Sequence, residues 1–422
     1  MDQINNLVDL LLTHEEKFNN SFSMVPSENP ISPLAKQVFL YDAYTRYYFD
    51  NISQWGTWAF PGGNIIGKIE SEILIPLLKE MTTAKHINVK SISGLNCMLI
   101  TLLSYCKAGD CICLMPFELG GHPSAVEISR NFGLKIIYTP HDEDNFDIDW
   151  GRFSIMIEKN KPKLIYVDQA TVLFPVNINK IKQIIKSCSL DTKLHVDSSH
   201  INGLILGDVL PNPLKEGADS FGGSTHKSLA GPHKAFFATN DEEIANLFSF
   251  KASYMTSHHH MADVIALTII LLEFKNKKGN EYAKQMVNNA QAFGKALDDF
   301  GFDVQGKKFG YTACHQIWLD PNHYMPAIEA AKKLLDIGII VNTFQKLPYC
   351  DKPAFRIGVN EVTSFGLKEK EMCILAGFYY ELLIKKSKIG VLAEEVKKLR
   401  RDFSTPKFCF TKEEAASLIP LI

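Results

Sequence analysis

The stretch KLHVDSSHINGLILGDVLPNPLKEGADSFGGSTHKSLAGPHKAFF, from Lys193 to Phe237, decides the fold and the chemistry of this chain. It begins as a short apolar run that ends in an acid, Asp197. His200 follows three residues later, and a glycine-rich segment then leads to Lys227. Because open α/β sheets bind ligands at the carboxyl ends of their strands, the stretch predicts a small-molecule site.

Short apolar runs alternate with helical stretches on both sides of this segment. The expected strands are residues 87–92, 111–115, 134–139, 163–168, 193–197 and 234–239. Such alternation is typical of βαβ units and a mostly parallel sheet, so we predict an α/β fold. After a long helical connector at 264–302, a second alternation predicts a smaller α/β domain.

The length and composition allow two domains. With 422 residues and 46% apolar content, the chain can bury a large core. We expect an N-terminal helical arm with substrate and dimer contacts at 1–60, a large cofactor-binding domain at 61–275, a small C-terminal α/β domain at 276–390 and a tail at 391–422.

Charge and patterning exclude several classes of function. The 45 Lys and Arg are balanced by 47 Asp and Glu, so no basic excess points to nucleic acid or to an anionic membrane. The start carries acids early, unlike a secretory signal, and no apolar run approaches the ~20 residues of a membrane span. Nine scattered cysteines without a CxxC pair indicate free thiols. We expect a cytoplasmic protein whose partners are small molecules or another copy of the chain.

Asp197 and Lys227 together indicate pyridoxal 5'-phosphate (PLP) chemistry. PLP needs a carboxylate against its pyridine nitrogen, because the protonated ring is the electron sink. It also needs a lysine amine for a Schiff base. A lone aspartate is more often a helix cap, and a lone lysine is more often a surface charge. Thirty residues apart, each at a strand end, the pair disfavours both of those interpretations.

The chain resembles the serine hydroxymethyltransferase family from about residue 27 to about residue 377. The ordered family motifs Asp-x-x-His, Gly-Leu, Asn-Pro, Ala-Asp, Thr-His-Lys and Gly-Pro are matched at Asp197, His200, Gly203-Leu204, Asn212-Pro213, Ala218-Asp219, Thr225-His226-Lys227 and Gly231-Pro232. The resemblance implies the PLP-dependent transferase fold type I, with a seven-stranded sheet flanked by helices, and a homodimer with shared active sites. It makes Lys227 the Schiff-base lysine, Asp197 the pyridinium partner and His200 a neighbour of the cofactor's 3-oxygen or the substrate.

Further motifs extend the resemblance to the cofactor. Ser93-Gly94-Leu95-Asn96 lies between a strand and a helix, where the family binds the PLP phosphate, and a helix N-terminus favours that dianion. Thr225 and His226 directly precede the lysine, and the resemblance makes them cofactor-binding residues too. Gly120-Gly121-His122 matches the Gly-Gly-His in which the imidazole stacks on the pyridine ring. A lone histidine is more often structural, but two preceding glycines in a βα loop favour the stacking role.

Substrate residues are implied at both ends of the chain. Ser27, in Ser27-Glu28-Asn29, matches a serine that helps hold the substrate carboxylate, and Arg356 matches the arginine that clamps it. A planar guanidinium suits that task because it makes two parallel charge-assisted bonds. Tyr47 matches a phosphate or carboxylate ligand from the neighbouring subunit.

The sequence departs from the family where folate binds. The glutamate of folate-dependent proton transfer is missing unless Asp50 replaces it, and family tyrosines have become Phe60 and Pro61. Pro123 follows the stacking histidine. We expect Glu118 as a nearby buried acid that repels a folate tail and as a substrate-binding residue on the side of a second aldehyde. These changes spare PLP binding and alter the acceptor side.

These patterns predict a PLP enzyme acting at the Cα–Cβ bond of an amino acid without folate. Aldolase, transaldolase and hydroxymethyltransferase-type reactions all pass through a glycyl quinonoid. A racemase, an aminotransferase, a cyclase or a catalytically silent homologue are the alternatives. We expect no metal, because the adjacent His258, His259 and His260 point in different directions.

Overall fold

The structure is a computed structural model that describes residues 1–48 and 60–419. Its strands are β1 Phe22–Ser23, β2 His86–Asn88, β3 Cys111–Leu114, β4 Lys135–Tyr138, β5 His141–Asp142, β6 Asp147–Ile148, β7 Leu164–Asp168, β8 Lys193–Asp197, β9 Ser220–Ser224, β10 Ala235–Thr239, β11 Asp303–Val304, β12 Gln316–Asp320, β13 Ile339–Ile340, β14 Asn342–Phe344 and β15 Ala354–Gly358.

The α-helices span Asp2–Asn19, Pro33–Gln37, Asn64–Lys68, Ile75–Thr82, Gly94–Tyr105, Pro123–Asn131, Trp150–Asn160, Ile178–Ser187, Asn202–Leu206, Glu242–Met255, Met261–Asn276, Gly279–Asp299, Ala327–Asp336, Asn360–Ser364, Glu369–Tyr379, Ile389–Asp402 and Lys412–Leu418. Within the described ranges, none of these helices has the length and apolar content to cross a bilayer.

The chain forms two compact units. The larger unit contains residues 29–284 and 408–422, and the smaller unit contains residues 1–28 and 285–407. The segments 1–60 and 391–422 of the sequence analysis are therefore each divided between the two units, after residues 28 and 407.

The larger unit is built on a seven-stranded sheet of order β2-β10-β9-β8-β7-β3-β4. The strands from β9 to β4 run parallel, whereas β10 is antiparallel to both of its neighbours. The predicted α/β class with a mostly parallel, helix-flanked sheet is confirmed. Since parallel strands end at the same edge, Asp168, Asp197 and Ser224 are brought to one edge by β7, β8 and β9.

Strand β9 was not among the strands expected from the sequence. Its segment SFGGS contains two glycines, which weaken a strand because they have no side chain to pack. The structure requires glycine there, since a Cβ at Gly222 would clash with the carbonyl oxygen of Phe236 on β10. The buried helices Gly94–Tyr105 and Glu242–Met255 cover this part of the sheet.

The smaller unit has an antiparallel sheet of order β11-β12-β15-β14, and β1 pairs with β13 in parallel. Its core includes Phe293, Phe355, Ile357 and Tyr379, which are fully buried. Strand β15 places Arg356 within this sheet, between β12 and β14.

The helical connector expected at 264–302 consists of two helices, Met261–Asn276 and Gly279–Asp299. Lys278 between them has a left-handed backbone with φ of 69°. A side chain at Gly279 would clash with the ring of Phe274, so the second helix can start close to the end of the first only with glycine at this position.

Candidate active site

A cavity that is partly open to solvent, with about 380 Å³ of empty space, lies at the carboxyl edge of the larger unit's sheet. Its predicted lining residues are Gly94, Leu95, His122, Asp197, His200 and Lys227. Other residues that line it are Met98, Asp168, Gln169, Ala170, Ser199 and Ser224. These residues come from five separate segments of the chain, so the fold brings together groups that lie far apart in sequence.

Asp197 is fixed by three donors. The hydroxyl of Tyr166 on the neighbouring strand donates to Oδ2 at 2.9 Å. Oδ1 accepts the backbone N–H of Ser199 at 3.0 Å and the Ser199 hydroxyl at 2.5 Å. The carboxylate therefore has one orientation at the floor of the cavity, as a partner for a cationic ring nitrogen requires.

A second acid in the cavity, Asp168, was missed by the sequence analysis. It is 4% exposed and is the register partner of Asp197 across β7 and β8. Burial, followed by the nearby charge of Asp197, raises the pKa of Asp168 well above its ordinary value. The signal was present in the sequence, because Asp168 ends its strand in the same way as Asp197 does.

His122 is held by a loop that only glycine can form. Gly120 has φ of 86°, and a Cβ there would clash with the carbonyl oxygen of Thr171. The backbone N–H of His122 donates to both oxygens of Asp168, at 3.1 and 3.0 Å. Its Nδ1 accepts the backbone N–H of Ser124 at 3.1 Å, which assigns the proton of the neutral ring to Nε2.

The helix Gly94–Tyr105 presents its N-terminus to the cavity. Ser93 caps it, since its hydroxyl accepts the backbone N–H of Asn96 at 3.1 Å. Ser93 and Asn96 thus shape the helix start without lining the cavity themselves. A Cβ at Gly94 would clash with the hydroxyl of Ser224, so glycine opens a cradle where the helix N-terminus and a serine meet.

The loop that carries Lys227 is closed by its own hydrogen bonds. The Thr225 hydroxyl donates to the carbonyl of Pro232 at 2.7 Å, and the Thr225 N–H donates to the carbonyl of Lys234 at 2.9 Å. Asn29 Nδ2 donates to the carbonyl of Lys227 at 2.7 Å. Thr225 therefore shapes the lysine loop and does not line the cavity.

His226 also lies outside the cavity lining. Its ring stacks on that of His233, with centroids 4.1 Å apart. Burial, with the neighbouring charges of His233 and Lys227, lowers the pKa of His226 to about 3. The imidazole is therefore neutral at physiological pH, and it packs beside the lysine loop.

The histidine loop at 258–260 contacts aromatic and acidic side chains. His258 stacks on Tyr47, with ring centroids 4.7 Å apart, and His259 Nε2 lies 2.7 Å from Glu70 Oε2. Within the described part of the chain, no three His, Cys, Asp or Glu side chains are grouped to hold a metal.

Arg356 is buried in the smaller unit, with 6% of its surface exposed. Its Nε donates to Asn342 Oδ1 at 3.2 Å, and its guanidinium lies 4.4 Å from the ring centroid of Phe344. Burial lowers the pKa of Arg356 to about 10, which leaves it charged at neutral pH. A buried guanidinium that stays charged suits an anionic ligand.

Ser27 belongs to a turn that is bonded to the end of the Arg356 strand. The backbone N–H of Gly358 donates to the carbonyl of Met24 at 2.8 Å. The smaller unit thus brings the early serine turn and β15 together, although more than 300 residues separate them in sequence.

The expectation of a buried acid at Glu118 is wrong. Glu118 is exposed in a short 3-10 helix after β3, and it does not line the cavity. Asp50, the possible replacement for the folate-linked glutamate, lies outside the described residues.

The sequence profile of serine hydroxymethyltransferase matches residues 1–379 of this chain. The chain belongs to the serine hydroxymethyltransferase family. Within this family, it is 32% identical to a serine hydroxymethyltransferase of Korarchaeum cryptofilum over 96% of each chain. It is 35% identical to an L-threonine:uridine-5'-aldehyde transaldolase of a Streptomyces species, over 89% of this chain and 90% of that protein.

A solved structure supports the same fold. The L-threonine transaldolase of Pseudomonas fluorescens superposes with a TM-score of 0.88 at 24% identity, over 98% of this chain and 95% of that one. The predicted resemblance and fold type are confirmed. This serine hydroxymethyltransferase family member is a PLP-dependent enzyme with aldol-type chemistry at the Cα–Cβ bond of an amino acid.

Proposed function

We propose that this enzyme is an L-threonine transaldolase: it cleaves L-threonine and joins the resulting glycyl unit to a second aldehyde, without tetrahydrofolate. The observation that carries the proposal is the shared cavity of Lys227, Asp197 and His122 under a helix N-terminus. The names of the relatives support the choice of amino acid and acceptor, because three of them are L-threonine:uridine-5'-aldehyde transaldolases.

The cavity residues fit PLP by their chemistry. Asp197 would keep the pyridine nitrogen protonated, and Lys227 would supply the Schiff-base amine. His122 would pack on the ring face. The N–H groups of Gly94 and Leu95 would receive the phosphate in the glycine cradle beside Ser224. PLP, when bound there, supplies the electron sink that makes the Cα–Cβ bond of a β-hydroxy amino acid cleavable.

Substrate positioning falls to residues outside the cofactor cradle. Arg356 and Ser27 are the proposed ligands of the amino-acid carboxylate, and His200 is a proposed polar neighbour of the cofactor's 3-oxygen or the substrate. Because the Arg356 guanidinium is already buried, it gives up few hydrogen bonds to water when it binds a carboxylate. The enzyme thereby orients the Cα substituents before the bond is broken.

The proposal that the enzyme does not need folate rests on the residues where other family members bind folate. Phe60 and Pro61 stand where the family has tyrosines, and Pro123 starts the helix after His122. Proline fixes the backbone at the first helical position, so Pro123 presents a rigid ring to any group that packs against this position. Since Glu118 is exposed, it contributes no repulsion of a folate tail in this proposal.

We also propose a homodimer with shared active sites. The helix Asp2–Asn19 has no buried residue in the single chain and exposes Leu7, Leu10 and Leu11. Tyr47 is 50% exposed and is the proposed ligand that one subunit lends to the other. Light scattering of the purified enzyme tests this, and a monomer at micromolar concentration would contradict it.

A side-by-side assay tests the proposed reaction. Acetaldehyde release from L-threonine is measured without folate, and serine cleavage is measured with and without tetrahydrofolate. The proposal expects threonine cleavage in the absence of folate and a faster release when a second aldehyde is added. Serine turnover that depends strictly on tetrahydrofolate would make this chain an ordinary hydroxymethyltransferase.

A further inference from the structure

Two carboxyl groups stand side by side in the cofactor cavity. Asp168 ends β7, Asp197 ends β8, and the two residues are register partners in a parallel pair. Register partners in parallel strands project to the same face of the sheet. The ionisable groups that act on Asp168 are Asp197 and Tyr166 from these strands and Lys227 from the lysine loop.

The donors are divided unequally between the two acids. Asp197 accepts two hydroxyl donors and one backbone N–H, from Tyr166 and Ser199. Asp168 accepts the backbone N–H of His122 with both oxygens, and the backbone N–H of Ala170 also acts on it. Because donors stabilise the charged form, the negative charge belongs on Asp197. Two ionised carboxylates in one buried site repel each other, so the proton of the pair belongs on Asp168.

Asp168 also completes the support of the His122 loop. The backbone N–H groups of Ala170 and Thr171 donate to the carbonyl of Gly120, at 2.9 and 3.2 Å. The segment after β7 is thereby bonded to the segment before His122. The carboxyl of Asp168 adds the bond to the His122 N–H itself, which anchors the residue whose imidazole is to cover the cofactor.

We propose that Asp168 is a positioning residue of the cofactor site: it remains the neutral acid beside an ionised Asp197 and fixes the loop that carries His122. The inference rests on the proposed function, since it assumes PLP in this cavity. A neutral acid still accepts the N–H of His122 and keeps its own O–H for a neighbouring oxygen. Asp197 would then be the single negative charge of the pair and the partner for the pyridine nitrogen of bound PLP.

Substitutions that separate charge from shape test this role in the PLP-loaded enzyme. Asp168→Asn keeps a neutral hydrogen-bonding group of the same size, Asp168→Ala removes it, and Asp197→Asn is the matched control. PLP affinity and the pH midpoint of the bound cofactor's absorbance are measured without substrate. We expect Asp168→Asn to stay within about twofold of wild type in affinity with an unchanged midpoint. Asp168→Ala should bind PLP about tenfold more weakly, and Asp197→Asn should shift the midpoint.

The opposite pattern overturns the inference. If Asp168→Asn shifts the absorbance midpoint as Asp197→Asn does, Asp168 carries charge; if Asp168→Ala matches wild type, it positions nothing. An infrared difference spectrum between wild type and Asp168→Asn is a second readout. At neutral pH this difference spectrum should contain the carbonyl band of a protonated carboxyl group. A carboxylate band in its place would contradict the proposal that Asp168 is neutral. Failure of the wild type to bind PLP would instead overturn the proposed function itself.

Discussion

Replacing Arg356 by alanine should weaken binding of the amino-acid substrate while PLP stays bound. Arg356 is 6% exposed and its guanidinium remains charged. A substrate carboxylate would therefore form its ion pair with the guanidinium where little water is present. Truncating one partner of a buried, hydrogen-bonded charge pair costs about 2 to 5 kcal/mol. Since about 1.4 kcal/mol corresponds to a factor of ten, the dissociation constant of glycine or L-threonine should rise roughly 30-fold to 4,000-fold.

The assay is a titration of the PLP absorbance of the holoenzyme with glycine and with L-threonine. Arg356→Lys should recover only part of the affinity, because an ammonium cannot make two parallel bonds to a carboxylate. Arg130→Ala is the control, since Arg130 is exposed and pairs with Glu127 on a surface helix. Unchanged affinity in Arg356→Ala would refute the carboxylate role.

Three further predictions concern Lys227, the Gly120 turn before His122 and the buried acid Glu273. Borohydride reduction of the holoenzyme followed by peptide mapping should label Lys227, and label on Lys234 would overturn the assignment. Gly120→Ala should lower the free energy of unfolding in urea by more than about 2 kcal/mol, because the new side chain needs a left-handed backbone and clashes with Thr171. Gly109→Ala is the control: φ is 92° there but the space is open, so this variant measures the cost of the left-handed backbone alone. Burial raises the pKa of Glu273 from 4.5 to about 7, so the stability it contributes is present below pH 4.5 and lost as the pH rises through 7. Glu273→Gln should therefore gain up to about 3 kcal/mol over wild type at pH 8 and little at pH 5, and equal gains at both pH values would contradict the raised pKa.

Most strands of the larger sheet and several residues of the cavity could be predicted because their signals are local. Apolar runs bounded by turn residues defined six strands of the sheet, and strand ends with an acid or a lysine pointed to PLP. Strand β9 could not be predicted in this way, because its glycines are explained by the close approach of β10. That approach is a long-range feature of the folded sheet.

The contents of the cavity were predicted less completely than its location. Asp168 and Asp197 end similar strands, yet only the pairing of β7 with β8 makes them neighbours. Thr225 lies two residues before Lys227, but its hydroxyl donates to the carbonyl of Pro232 within the same loop. Glu118 lies close to His122 in sequence, yet it is exposed and does not line the cavity.

The fate of the α-carbon of threonine tests the central claim most directly. The holoenzyme is incubated with L-threonine labelled at the α-carbon and an added aldehyde, without folate, and the products are analysed by mass spectrometry. We predict that the label appears in a new β-hydroxy amino acid that carries the added aldehyde's carbon skeleton, in step with acetaldehyde release. Label recovered only in unreacted threonine, while serine is converted to glycine solely in the presence of tetrahydrofolate, would contradict it.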